Sequence, residues 1–525
     1  MRRRTLLASA AATLAAPHVA GAQRASILRF VPQSDLALLD PVQTTAAITR
    51  NHGLMVFDQL YGVDADLRPQ PQMAEGHTVE EDGKRWTIRL REGLRFHDGE
   101  PVLARDCAAS VRRWGKRDTF GLALMAATDE IAAPDDRTLV FRLKRPFPLL
   151  ADALGKSNSN ICVMMPERLA ETDAARPVPA MIGSGPYRFV ASERVAGALT
   201  VYERFRDYVP RHAGAASFLA GPRVAHFDRV EWRILPDAAT AAAALQSGEV
   251  DWWEQPVVDL LPLLRRNSAL RVDLVESYGF FSLLRPNHLH PPFDNPAIRR
   301  ALLGAFVQAD FMRAVMGDNR ELWKDDVGFF LPGSPMASDV GLSVLPNKVD
   351  YDKVKRDLQA AGYRNERVVF LAPTDFQTVN AMSEVAGDAL RRCGINLDYQ
   401  AMDWGTALQR LASQEPLDKG GWSMFSTWSL GAGVASPAAH AYIRGSGRSA
   451  TFGWFTSERM EALRNAWLEA SDLEAQKRIC RDMQAVAFEE VPFYPTGTFT
   501  QATAMRAELT GLVKGAPLFW GLRRG

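Results

Sequence analysis

Short runs in which apolar and polar residues alternate, separated by longer runs with a helical period, fill the chain. Trp86-Thr87-Ile88-Arg89-Leu90 and Thr138-Leu139-Val140-Phe141-Arg142-Leu143 change sides at every residue and predict strands. Between them, Asp106 precedes the helical run 107–113 and is expected to cap it. Asn295-Pro296 opens a helix with proline in its first turn. Residues 350–361 predict another, stopped by Gly362, and 385–392 a third, stopped by Gly394. The third runs directly into the strand 396–400. Residues 458–490 predict two helices broken around 471–472. Strands alternating with helices over such a length predict α/β layers rather than a bundle or a sandwich.

At 525 residues the chain exceeds one ordinary core; at roughly 100–200 residues per domain, two or three domains are expected. With 62 basic and 61 acidic residues it has no basic excess for nucleic acid. The densest basic run past the N-terminus, Arg112-Arg113-Trp114-Gly115-Lys116-Arg117, reads as a solvated helix end. Residues 1–22 differ from the rest. Arg2, Arg3 and Arg4 precede an apolar, acid-free stretch, and Ala20-Gly21-Ala22 offers small residues at a cleavage site. This predicts a removable secretory leader, by the twin-arginine route that Arg3-Arg4-Thr5-Leu6-Leu7 resembles or by the general one. No later segment has 18 consecutive apolar residues, so a chain free of the membrane is expected in the periplasm. Cys107, Cys162, Cys393 and Cys480 fit no zinc spacing and are expected as buried thiols.

Catalytic patterns are missing. The sequence has no His-Glu-x-x-His, no Gly-x-Ser-x-Gly and no Gly-x-Gly-x-x-Gly. Gly155-Lys156-Ser157 echoes a phosphate loop, but Leu150 stands where its first glycine belongs. His97-Asp98 precedes Gly99 and predicts a turn rather than a base with its orienting acid. His288 and His290 share a face if extended, yet no third metal ligand is near in sequence. No catalytic residue, metal site or cofactor is expected.

One stretch is specific. Phe57-Asp58-Gln59-Leu60-Tyr61 is followed by Pro69-Gln70-Pro71-Gln72-Met73-Ala74-Glu75-Gly76, and then by Arg91-Glu92-Gly93-Leu94-Arg95-Phe96-His97-Asp98-Gly99-Glu100-Pro101-Val102. Further landmarks are Gly183-Ser184-Gly185-Pro186-Tyr187-Arg188-Phe189, Leu245-Gln246-Ser247-Gly248-Glu249-Val250-Asp251, and the stretches 295–301, 351–363 and 395–404. In this order they resemble the extracytoplasmic solute-binding proteins of family 5, the dipeptide, oligopeptide and nickel group of ABC importers. The resemblance covers essentially everything after the leader. It implies a two-lobed, Venus-flytrap α/β fold with a third domain inserted in the first lobe. By that resemblance, 23–57 with 183–283 and 494–525 form the first lobe, 58–182 the insertion, and 284–493 the second lobe.

The resemblance further implies a ligand held between the lobes, by the first crossover near 277–284 and by a second-lobe loop starting at Gly421-Trp422. Aromatic rings give large contact area for little lost entropy, which nominates Tyr278, Phe280, Trp404, Phe425 and Trp428. Arg285 would receive a ligand carboxylate through its fork. Peptide-binding relatives carry an aspartate soon after the Gly-Trp pair, whereas residues 423–440 here contain no Asp or Glu. A peptide ammonium would therefore need another acid, such as Asp403. The expected function is capture of a peptide or peptide-like solute for a membrane permease pair, by a monomer. The alternatives are a receptor for a metal chelate, opine or sugar derivative, and an exported hydrolase on the same frame.

Overall fold

The computed structural model describes residues 26–470 and 472–525, so the leader reading lies outside the described residues. Two mixed sheets form the lobes. The first has seven strands in the order Leu270–Leu274, Ala502–Arg506, Trp252–Trp253, Ile27–Val31, Arg229–Arg233, Leu199–Arg204 and Tyr187–Phe189. Ile27–Val31 is parallel to both neighbours, and the remaining pairs are antiparallel. The second has six: Trp323–Lys324, Tyr494–Phe499, Phe280–Pro286, Met424–Leu430, Arg367–Pro373 and Asn396–Met402. Arg367–Pro373 is parallel to both neighbours there. All seven residues of Phe280–Pro286 are buried, as a strand covered on both faces must be. A third, antiparallel sheet, Ala74–Glu80, Arg85–Leu90, Thr138–Leu143 and Thr128–Ala132, stands in the stretch between Ile27–Val31 and Tyr187–Phe189.

The local predictions hold with small shifts. The strands run Arg85–Leu90 and Thr138–Leu143, and Asn295, Asp350 and Asp472 cap the helices that follow them. The third helix is longer than its strongest period, Gln377–Arg392. Asp106 is displaced from its expected role. The helix starts earlier, at Ala104, and Asp106 sits in its first turn, accepting from the Leu103 and Glu167 amides at 2.8 Å each. Asp98-Gly99 is a turn, with Gly99 at φ 90° and Asp98 accepting from the Glu100 amide. The four cysteines are buried and unpaired. Among the described residues no helix is long and apolar enough to cross a membrane.

The switch between the two sheets differs from the expected place. Phe280–Pro286 and Tyr494–Phe499 both pair within the second sheet, so the chain crosses at 275–279 and again at 500–501. The bounds implied by the resemblance fall a few residues late on one side and early on the other, since hydrophobic strand residues on either side of a crossover read alike. The crossovers lie against each other. Gly279 has φ 61°, and a Cβ there would stand 2.6 Å from the Phe499 carbonyl oxygen.

Buried ions fix the surroundings. Arg113 of the inserted domain reaches Asp40 of the first lobe at 2.7 Å, both side chains 1% exposed. Asp40 also accepts from the Val42 and Val178 amides. Arg223 meets Asp58 at 2.7 Å, equally buried. Beneath the crossover, Arg50 bridges Asn51 and Glu276, and Asn51 donates to Glu254, which also accepts from the Gln33 amide at 2.7 Å. Burial, reinforced by the nearby Glu276 and opposed by the Gln33 amide, Arg50 and Asn51, pushes the Glu254 carboxyl up to about 7.

Two outcomes are expected. Asp40→Ala leaves Arg113 buried without a counter-charge and should lower unfolding free energy by about 3–5 kcal/mol, read from the denaturant midpoint. Glu254 has a folded pKa above its ordinary 4.5, so its contribution is fully present below that value and is lost as pH rises through about 7. Glu254→Gln escapes that loss. The Tm of the variant relative to the parent should therefore increase between about pH 5 and about pH 8; a constant difference would contradict this account of Glu254.

Candidate ligand cleft between the lobes

In both lobes the cleft opens where parallel strands end. The first lobe supplies the loop after Ile27–Val31, the turn after Arg229–Arg233 and the segment after Trp252–Trp253. The second supplies the turn after Arg367–Pro373 and the one after Asn396–Met402. Carboxyl ends of parallel strands are the general ligand location in such sheets, since their loops diverge and leave a crevice. The outer cavity has a volume of about 640 Å³ and includes Gln501 of the second crossover in its wall. A smaller inner chamber of about 60 Å³ continues from it, sharing Gln33, Ser34, Phe376 and Trp404.

The two parts differ in charge. Asp35, Asp259, Asp375 and Asp403 line the outer cavity, with Arg313 as its basic residue. Asp403 caps the helix Trp404–Leu411 through Thr406, whose hydroxyl and amide bonds hold its carboxyl below the usual range. Asp375 accepts from the Trp404 amide at 2.7 Å. The helix Gln377–Arg392 begins at the cleft without a side-chain cap, so its first amides face the cavity's end of the helix dipole unsatisfied by a side chain. Among the described residues, none lining the inner chamber is charged. Its walls are aromatic and aliphatic, with hydroxyls from Ser34, Thr45, Ser159, Thr427, Ser429 and Thr451.

Three of the six nominated residues line this space. Trp404 borders both parts, and Phe425 and Trp428 border the inner one. Trp404 and Trp428 belong to a run of edge-to-face rings, while Phe425 meets Trp422 instead. Trp404 meets Phe376 at 5.3 Å, Phe376 meets Trp428 at 5.7 Å, and Trp428 meets Phe280 at 4.6 Å. Phe280 then stacks on Phe499 beside the crossover. Phe280 is thus a second row behind Trp428 and does not line the cavity, because its strand begins inside the sheet. Tyr278 also lies outside the lining; its hydroxyl donates to the Ala65 carbonyl of the inserted domain. Arg285 stands behind the wall. Its Nε donates to Phe452, and its Nη1 to Tyr442 and Pro492 carbonyls at 2.6 and 2.8 Å, so it positions two residues that line the chamber. Burial lowers its pKa to about 9. The acid-free run 423–440 supplies the inner wall, which accounts for the missing charge there.

His288 and His290 each bond a backbone carbonyl, of Pro492 and Gln414 respectively. Among the described residues no three potential ligands gather for a metal. Lys156 of the phosphate-loop echo is paired with Asp118 inside the inserted domain. The sequence reading missed every first-lobe contributor, among them Gln33, Ser34 and Ile48, and missed Phe376, Tyr442 and Phe452. Apolar runs at 27–31 and 368–372, each followed by a polar loop, were the available signal for Gln33 and Asp375.

Comparison with known proteins places this geometry. Residues 68–451 match the model of the bacterial extracellular solute-binding proteins, family 5. A protein of Sinorhizobium fredii, named a probable peptide ABC transporter periplasmic-binding protein, is 34% identical over 98% of this chain and 97% of its own. A glutathione-binding protein of Salmonella typhi is 24% identical over 91% of this chain and 90% of its own. Among solved structures, a binding protein from Agrobacterium tumefaciens R10 in complex with agropinic acid superposes with TM-score 0.80 at 22% identity, covering 95% of this chain and 99% of that one. An ABC transporter-associated periplasmic binding protein from Helicobacter pylori in complex with the peptide STSA gives 0.78 at 20% identity, covering 95% and 98%. The chain belongs to the bacterial extracellular solute-binding proteins of family 5.

Proposed function

We propose that the chain is a non-enzymatic, monomeric receptor that captures a small zwitterionic, peptide-like solute between its lobes and delivers it to a membrane permease. The observation that carries this reading is the division of the cleft into a charged mouth and an uncharged aromatic chamber. A ligand ammonium has Asp35, Asp259, Asp375 and Asp403 available at the mouth, which answers the lack of acid in 423–440. A ligand carboxylate has Arg313 and the uncapped start of Gln377–Arg392. An apolar side chain fits between Trp404, Phe425 and Trp428. Arg285, Tyr278 and Phe280 serve this site from behind, through the wall and the crossover, rather than by touching ligand. The peptide names of the Sinorhizobium and Helicobacter relatives agree with this chemistry.

A second reading has its own support. Seven hydroxyl side chains, Tyr442 among them, in a chamber with aromatic faces also suit a sugar-derived solute, and the Agrobacterium relative is in complex with agropinic acid. A thermal-shift panel of dipeptides, longer peptides, opines, oligosaccharides and nickel with chelators separates the two. A ligand at about 100 times its Kd adds roughly 2.7 kcal/mol of apparent stability. Stabilisation by peptides is expected, and a response confined to opines or sugars would replace the peptide assignment. Trp428→Ala should weaken binding of the stabilising ligand at least tenfold by isothermal titration; an unchanged Kd would take Trp428 out of the site.

A further inference from the structure

The inserted domain reaches the cleft itself. Ser159, on its segment 155–160, lines the inner chamber. That segment is held from several sides. Lys156 is ion-paired with Asp118 in a buried setting, and Gln59 donates to the Lys156 carbonyl at 3.0 Å. Trp114 Nε1 donates to the Asn160 carbonyl at 2.6 Å. Asn160, at φ 51°, sends its Nδ2 to the Val42 and Thr44 carbonyls of the first lobe at 3.1 and 3.0 Å. Asparagine is among the few residues that accept that left-handed conformation readily. The segment is therefore a rigid post joined to the first lobe.

The second lobe rests on this post. Gly433, at the end of the chamber wall, comes so close that a Cβ on it would lie 2.7 Å from Asn158 Nδ2. Arg464 Nη2 donates to the Thr119 carbonyl at 3.1 Å, with the arginine side chain only 4% exposed. Arg444 brings a second guanidinium into the field of Asp118 and of its own lobe's Glu461, and its Nε and Nη1 find no partner among the described residues. At the outer edge Arg145 of the inserted domain pairs with Glu469 of the second lobe. Gly433 sits near the first crossover, because the Gly431 amide donates to the Gly279 carbonyl at 2.9 Å, whereas the Arg464, Arg444 and Arg145 contacts are made by other segments. Rotation about the crossovers would part them while leaving each sheet intact.

We propose that the inserted domain is a latch, which holds the second lobe shut through Asn158, Thr119 and Arg145 and so stabilises the closed form even without ligand. It rests on the cleft being the ligand site, and it adds a source of closure that no ligand contact supplies. A ligand then selects a form already populated, and it leaves more slowly than its own contacts alone would dictate.

The test uses the full chain without ligand. Val195 in the first lobe is 57% exposed and Val344 in the second is 49% exposed, so each can be replaced by Cys and spin-labelled while the four native thiols stay buried. Electron–electron distance measurements then report the closed fraction. A distinct closed population is expected in the parent. Gly433→Ala should deplete it by intruding on Asn158. Arg145→Glu should change the closed-to-open ratio by about twofold to fivefold, the scale of an exposed pair, with less effect at high salt. Adding Glu469→Arg to Arg145→Glu should restore it. A parent with no closed population, or distributions unchanged across these variants, would overturn the latch. If Gly433→Ala fails to fold, the exposed charge reversal and its rescue decide alone. Because no ligand is present, the closed fraction is read separately from the ligand panel, so a failed latch and a failed ligand assignment are told apart.

Discussion

The close contact of Gly279 with the Phe499 carbonyl is the constraint on which the architecture turns. The chain must pass between two sheets twice, and it does so at adjacent points because Gly279 carries no Cβ and accepts a positive φ. Two crossovers side by side form one narrow strap. A narrow strap permits rotation of one lobe against the other, whereas two separated connections would brace them. The cleft, its location at the ends of the parallel strands, and its enclosure by two bodies follow from that strap.

The strap also communicates with the cleft wall. The rings from Trp404 through Phe376, Trp428 and Phe280 to Phe499 form an unbroken packed series from the mouth to the crossover. Interiors packed this tightly transmit displacement rather than absorb it. On the opposite side, Glu254 holds the Gln33 amide and, through Asn51 and Arg50, connects to Glu276 next to the first crossover. Each lobe therefore has residues that touch the cavity and are tied, within a few contacts, to the segment about which it turns.

The sequence disclosed the fold further than the site, for identifiable reasons. Period-two and helical patterns register burial, and the strands at 85–90 and 138–143 and the helix capped by Asp350 obey it. Asp106 shows the limit. An acid in a helix's first turn and an acid at its cap look the same in sequence, and the Leu103 amide decides between them. Trp404, Phe425 and Trp428, nominated for their ring area, line the cleft, and the last two do so from within the acid-free run. Arg285 was misleading because an arginine that braces carbonyls and one that binds a carboxylate share a pattern; only its bonds to Phe452, Tyr442 and Pro492 distinguish them. Gln33, Ser34 and Ser159 were invisible because their importance comes from segments far apart in sequence meeting in space.

The place of Ala502–Arg506 has a consequence for biosynthesis. This strand lies inside the first sheet, between Trp252–Trp253 and Leu270–Leu274, although it is translated long after both. Until it emerges from the ribosome, two strands made more than 220 residues earlier have no common neighbour and their edges stay open. The first sheet is thus completed only after the whole second sheet has been made, and open edges in that interval favour edge-to-edge association.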